Sequence, residues 1–142
     1  MRKALIGFLL IPLGLASSQG LGPILKKHSQ IDWKASGSLP PGAEYHLIYE
    51  DKNTHAIETL ARFPSGYALP PHSHTSDETL LIITGKLLVE INGQTTALEA
   101  GSYAVIPSGT VHALKASGWK GCEMLVSMSG PFDIKGLPTL KR

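Results

Sequence analysis

The sequence predicts an all-β fold: a small antiparallel β-barrel or double-sheet jelly roll in one domain. Three observations point there. Glycine (15) and proline (10) are plentiful while aromatics make up only 6% of 142 residues, a mix suited to short strands and tight turns. From residue 39 onward no apolar period of 3.6 residues persists for two turns, whereas short alternating runs recur between turn signals. Hydrophobic residues at 42% and charged residues at 17% suit a globular core, and the length suits a single domain.

Residues 1–18 read as a signal peptide. Arg2 and Lys3 form a basic n-region, residues 4–15 an uncharged apolar run, and Ala16, Ser17 and Ser18 offer small side chains for cleavage after Ala16 or Ser18. As a helix the apolar run reaches only about 18 Å, short of a bilayer core of ~30 Å. Pro12 and Gly14 weaken a spanning helix further, and no cysteine follows to carry a lipid. The expected product is exported, to a bacterial periplasm or the medium, with no membrane span in its mature form. Residues 19–38 read as an N-terminal arm, with Ile31 and Trp33 packing on the domain edge. The barrel domain is expected over 39–134 and a C-terminal tail over 135–142.

Within the domain, strands are expected at 44–49, 55–63, 69–74, 78–84, 86–91, 94–98, 101–106, 111–116 and 122–128. Asp51-Lys52-Asn53, Pro64-Ser65-Gly66, Gly85 and Pro107-Ser108-Gly109 mark the turns. Asn92-Gly93 is the strongest two-residue hairpin signal in the chain. This many short strands favours closure, which removes free sheet edges.

The net charge is +2, but removing Arg2 and Lys3 from 13 basic side chains leaves 11, equal to the 11 acidic ones. No basic patch survives to bind nucleic acid. The single Cys122 cannot form an intrachain disulfide and reads as core, together with Met124 and Met128.

The chemistry lies in four residues. His72 and His74 are two apart, so on an extended strand both imidazoles face one side about 6.5 Å apart. Glu78 follows the polar turn Thr75-Ser76-Asp77 and opens the next strand, where its carboxylate can return beside them. His112 comes from a later strand, after Pro107-Ser108-Gly109. Three imidazoles and a carboxylate form a mixed nitrogen and oxygen site for a divalent transition metal, with positions left for water or substrate. A closed cysteine-type zinc site is excluded. Taken singly, each residue has an ordinary reading: His-x-His occurs by chance, and Glu78 alone could cap a strand. His28, His46 and His55 carry no assignment.

The spacing of the whole pattern is more specific. Gly66 is followed after five residues by His72, then His74, then Glu78 after three and Gly85 after six. Gly101 is followed after five residues by Pro107, then Gly109, then His112 after two. In this order and spacing the chain resembles the cupin superfamily, whose two signature motifs these are. Ala116 stands where the second motif usually carries asparagine, a residue that is not a ligand. The short spacer, residues 86–100, is similar to that of small microbial cupins. Trp33-Lys34, Pro41-Gly42-Ala43 and the segment Gly130, Pro131, Phe132, Asp133 resemble a narrower group of small exported cupins.

The resemblance implies a cupin-like barrel holding one metal ion on His72, His74, Glu78 and His112. Iron, manganese, copper, zinc and nickel are all compatible. Strand alternation then turns Leu80, Ile82 and Thr84 inward beside Glu78, and Leu114 and Ala116 beside His112. Leu80, Ile82 and Leu114 are the expected pocket lining, an apolar floor that suits an apolar or aromatic small molecule better than a sugar phosphate. Simple barrel filling explains the same side chains equally well.

Three functions follow. The leading one is a dioxygenase, an oxidoreductase class the resemblance makes common. The second is a redox-neutral decarboxylase, isomerase or hydrolase. The third is a non-catalytic module binding a metal or small ligand. The resemblance also allows a homodimer, with residues 20–38 as an exchanged arm.

Overall fold

The computed structural model describes residues 22–137. The expected leader lies outside the described residues, as does the end of the expected tail. A single 3-10 turn at His28–Gln30 is followed by eight strands, all pairing antiparallel. They are β1 (Lys34–Ala35), β2 (Glu44–Glu50), β3 (Ile57–Phe63), β4 (Ala68–His72), β5 (Glu78–Ile91), β6 (Gln94–Glu99), β7 (Tyr103–Ile106) and β8 (His112–Met128). The fold is all-β, as the turn-rich composition predicts. No helix among the described residues is long and apolar enough to cross a membrane.

Two long strands organise the molecule. The first half of β5 pairs with the end of β8 and with β7, while its second half pairs with the start of β8 and with β6. The end of β8 also pairs with β3, and its start pairs with β4. One layer therefore runs β1-β2-β3-β8-β5-β7 and the other β4-β8-β5-β6, with β5 and β8 passing through both.

The crossing corrects three expectations. Gly85 is not a turn between two strands. It lies inside β5 with φ 79°, beside register shifts on both sides. A Cβ there would sit 2.0 Å from the Gly121 carbonyl oxygen, so the two backbones meet where β5 and β8 bend. The expected strands at 111–116 and 122–128 are likewise one strand, interrupted by an exposed excursion that carries Trp119. Gly121, with φ 77°, would place a Cβ 2.2 Å from the Phe63 carbonyl oxygen. Only glycine allows three backbones this close. The register shift between Ile82 and Thr84 breaks the alternation, so Thr84 is exposed rather than inward.

Alternation otherwise fills the interior between the layers. Leu80, Ile82, Leu87, Ile106, Met124 and Met128 are fully buried there. Cys122 belongs to the same core, and burial pushes its thiol up to about 11, which keeps it protonated and unreactive. Asn92 and Gly93 both take positive φ and close the β5–β6 hairpin as their sequence signals.

The N-terminal segment is tied down at specific points. Within it β1 pairs with β2, and the Arg62 guanidinium lies 4.3 Å over the ring of half-buried Trp33 while pairing with Glu44 at 2.6 Å. Ala43 is buried, and Tyr67 stacks on Phe63 and donates to the Pro40 carbonyl at 3.0 Å. These contacts seat the Trp-Lys and Pro-Gly-Ala segments against the barrel.

Candidate metal centre

The crossing of β5 and β8 decides what shares the cavity. Glu78 opens β5 between Met128 of β8 and Ile106 of β7. His112 opens β8, opposite His72 at the end of β4 and Ile91 at the end of β5. His74 lies just past β4 in the loop toward β5. All four are buried, at 5% exposure or less. One nitrogen of each of His72, His74 and His112 lies within 4.8 Å of the others, a cluster that could hold a metal ion. Ring centroids of His72 and His112 are 4.2 Å apart, and those of His72 and His74 are 5.0 Å apart. Glu78 joins them, with Oε2 3.2 Å from His112 Nε2 and Oε1 3.7 Å from His74 Nε2.

Each imidazole is oriented by its other nitrogen. His72 Nδ1 donates to the Pro70 carbonyl at 2.8 Å, His112 Nδ1 to the Thr110 carbonyl at 3.0 Å, and His74 Nδ1 to the Asp133 carbonyl. A carbonyl only accepts, so the proton sits on Nδ1 and Nε2 is left to act as a ligand. Among the described residues, His74 Nε2, His112 Nε2 and Glu78 Oε2 are buried and find no hydrogen-bond partner. Unpaired buried atoms of this kind are costly. Facing lone pairs of nitrogen and oxygen fit a divalent cation between them.

The electrostatics agree with that fit. Burial lowers His72 to about 4, so it is neutral at pH 7 and free to ligate. Burial also opposes a charge on His112, but the Glu78 carboxylate and the Thr110 carbonyl outweigh it and raise its pKa. Glu78 thus favours positive charge beside His112, a charge that a bound cation would supply.

Three loops hold the cluster. Gly109 donates its amide to the His74 carbonyl at 2.9 Å. Asp77, exposed on its turn, accepts from the Ser108 amide at 2.8 Å, and Ser108 Oγ donates to the Thr75 carbonyl at 3.0 Å. The segment after β8 closes over the same turn. Ser73 and Lys135 exchange two backbone hydrogen bonds, and Asp133 Oδ1 accepts from the Thr75 amide at 2.8 Å. That bond holds the Asp133 carboxyl below its ordinary range.

His72, His74 and Glu78 sit in the wall of a cavity of about 430 Å³, with His112 packed behind them. Leu69, Leu80, Leu114, Met124 and Val126 line it beside the cluster, and Pro131, Phe132 and Ile134 contribute from the C-terminal segment. Leu80 and Leu114 therefore stand where alternation places them. Ile82 shares their face but does not line the cavity. It lies two residues farther along β5, roughly 6.6 Å away, packed in the closed core. Alternation fixes which face a side chain takes and leaves its depth open. Sequence reasoning missed Phe132, Asp133 and Ile134 as parts of the site, although the Gly-Pro-Phe-Asp segment was the signal available.

A family model described as a cupin domain matches residues 59–128, which contain all four clustered side chains. Those residues form a cupin domain. Solved structures share the fold at low identity. KdgF from Halomonas sp. is 21% identical with a TM-score of 0.63, covering 77% of this chain and 94% of that one. A predicted oxalate decarboxylase from Thermotoga maritima is 19% identical with a TM-score of 0.66, covering 75% of this cupin and 99% of its own chain. The polyketide cyclase RemF from Streptomyces resistomycificus is 14% identical with a TM-score of 0.66, covering 82% and 89%. Among curated proteins nothing matches.

Proposed function

We propose that this cupin is an exported mononuclear metalloenzyme, a dioxygenase acting on a small neutral apolar or aromatic molecule. The observation that carries the reading is the buried cluster of His72, His74, His112 and Glu78, of which His72, His74 and Glu78 line a largely apolar cavity. In this reading the three Nε2 atoms and the Glu78 carboxylate would hold the ion. A redox-active ion such as iron or copper would supply the electron transfer that dioxygen chemistry needs.

The chain's own residues set what may enter. Among the described residues, no lysine or arginine lines the cavity. A dicarboxylate or sugar phosphate would lose hydration there with no fixed cation to replace it beyond the metal. The two lining carboxylates other than Glu78 are already engaged, Glu44 with Arg62 and Glu50 with His55 at 2.8 Å. Leu80, Leu114, Met124 and Phe132 instead offer apolar contact, which favours a ring or an alkyl chain.

One observation favours a second reading. The His55–Glu50 pair lines the same cavity and could move protons in a redox-neutral decarboxylation, isomerisation or hydrolysis. Anaerobic loading with iron, then oxygen-electrode assays with catechols, flavonols, diketones and thiols, separates the readings. The dioxygenase reading requires oxygen uptake with at least one class. Turnover that proceeds equally without oxygen supports the second, and tight stoichiometric binding without turnover supports a binding module.

Export belongs to the same proposal and rests on the leader pattern of residues 1–18. Amino-terminal sequencing of the protein from its native compartment should begin at Ser17 or Gln19, and an intact Met1 there would contradict it.

A further inference from the structure

His74 differs from the other clustered residues in being held by no strand. Its ring is fixed instead by the segment that follows β8, 59 positions away in sequence. Six contacts bind that segment to the loop bearing His74. The Asp133 carbonyl accepts from His74 Nδ1, and the Asp133 carboxylate accepts from the Thr75 amide. Ser73 and Lys135 exchange two backbone bonds, the Ser129 amide donates to the Asp77 carbonyl at 3.1 Å, and the Asp77 amide donates to Ser129 Oγ at 3.1 Å. Gly130 fits closely enough that a Cβ would fall 2.5 Å from Ser76 Oγ. The neighbouring Phe132 ring lies 5.9 Å from the His74 ring and lines the cavity.

We infer that Asp133 is a positioning residue for metal binding: its carboxylate, by capping Thr75, keeps its own carbonyl on His74 Nδ1 and so aims His74 Nε2 into the cluster. The inference rests on the metal site proposed above and adds a residue to it. The logic is local geometry. Backbone at 132–134 is not part of any strand, so without an anchor the carbonyl can swing away from the imidazole. The carboxylate supplies that anchor at the Thr75 amide, one residue past His74. Removing an outer partner of a ligating histidine typically weakens metal binding ~10–100-fold.

The test compares wild type, Asp133→Ala and Asp133→Asn in the full mature chain. Affinity for Co²⁺ is measured by competition with a chelator, and the visible spectrum of the Co²⁺-loaded protein reports ligand geometry. Thermal denaturation of the metal-free proteins is run alongside. Asp133→Ala should bind Co²⁺ at least tenfold more weakly, with an altered ligand-field spectrum. Asp133→Asn keeps an acceptor for the Thr75 amide and should restore affinity to within about threefold of wild type. Equal affinity and spectrum for Asp133→Ala and wild type would overturn the inference while leaving the metal site intact. Wild type that binds no Co²⁺, by contrast, overturns the metal site itself. If Asp133→Ala fails to fold, Asp133→Asn and Thr75→Pro carry the test. Thr75→Pro removes the donated amide and should lose Co²⁺ affinity like Asp133→Ala, whereas wild-type affinity there would overturn the inference.

Discussion

Gly121 is where the geometry of the fold can be tested most sharply. Replacing it with alanine forces an L side chain into φ 77°, which costs roughly 1–2 kcal/mol. The new Cβ would also meet the Phe63 carbonyl oxygen at 2.2 Å, with Pro64 backbone atoms at 3.0 and 3.1 Å. None of these is a flexible side chain, so β8 must move away from β3 by close to 1 Å. Overpacking of this sort adds about 1–3 kcal/mol. The total of ~2–5 kcal/mol is a large share of the 5–15 kcal/mol that stabilises a typical domain. Gly66→Ala provides the control, because Gly66 has the same φ of 77° but nothing within 4 Å of its added Cβ. It should cost only the conformational part, ~1–2 kcal/mol. Urea denaturation of the metal-free proteins gives both numbers. If Gly121→Ala proves no less stable than Gly66→Ala, the close approach of β3 and β8 is not real, and the bend that unites the two layers loses its explanation.

Other consequences follow from the same geometry. Leu87→Ala, at a side chain with no exposed surface, should cost ~2–5 kcal/mol in urea denaturation, while Trp119→Ala, at 84% exposure, should stay within about 0.5 kcal/mol. The depressed His72 pKa makes the metal-free fold sensitive to acid. The unfolded chain takes up that proton below pH 6.5 and the folded one only near 4, so this contribution is present above pH 6.5 and is lost as pH falls toward 4. At ~1.4 kcal/mol per pH unit the full loss is on the order of 3 kcal/mol, and His72→Gln should flatten the slope over that window. The raised pKa of His112 has the opposite sign, stabilising at low pH and fading as pH rises, so the wild-type slope is the difference of the two. Any proton that His112 Nε2 takes up must leave before a metal binds there. Apparent affinity should therefore climb with pH through the neutral range, and an affinity that falls with pH would rule that displacement out.

Much of the site was legible because its elements follow simple periodicities. His72 and His74 announce a shared face, and Glu78 opens a strand whose alternation carries Leu80 inward. What stayed hidden depends on contacts with no local signature. Gly85 reads as a turn, since nothing near it in sequence reveals that Gly121 will press against it. Thr84 reads as inward because a register shift arises from pairing between distant strands. The hold of Asp133 on His74 runs through a backbone carbonyl, which every residue possesses, so only the folded chain discloses it. Likewise the two residues of β1 are too few to register as a strand, and their pairing with β2, beside the Arg62–Trp33 contact, shows only in the folded chain.

The account turns on an ion shared by the cluster of His72, His74, Glu78 and His112. Elemental analysis of the protein purified from its native compartment, alongside His72→Ala and His112→Ala purified the same way, measures this directly. One equivalent of a divalent transition metal per chain is expected in the wild type and less than a tenth of that in either variant. Wild-type protein without stoichiometric metal, or variants that retain it fully, would contradict it.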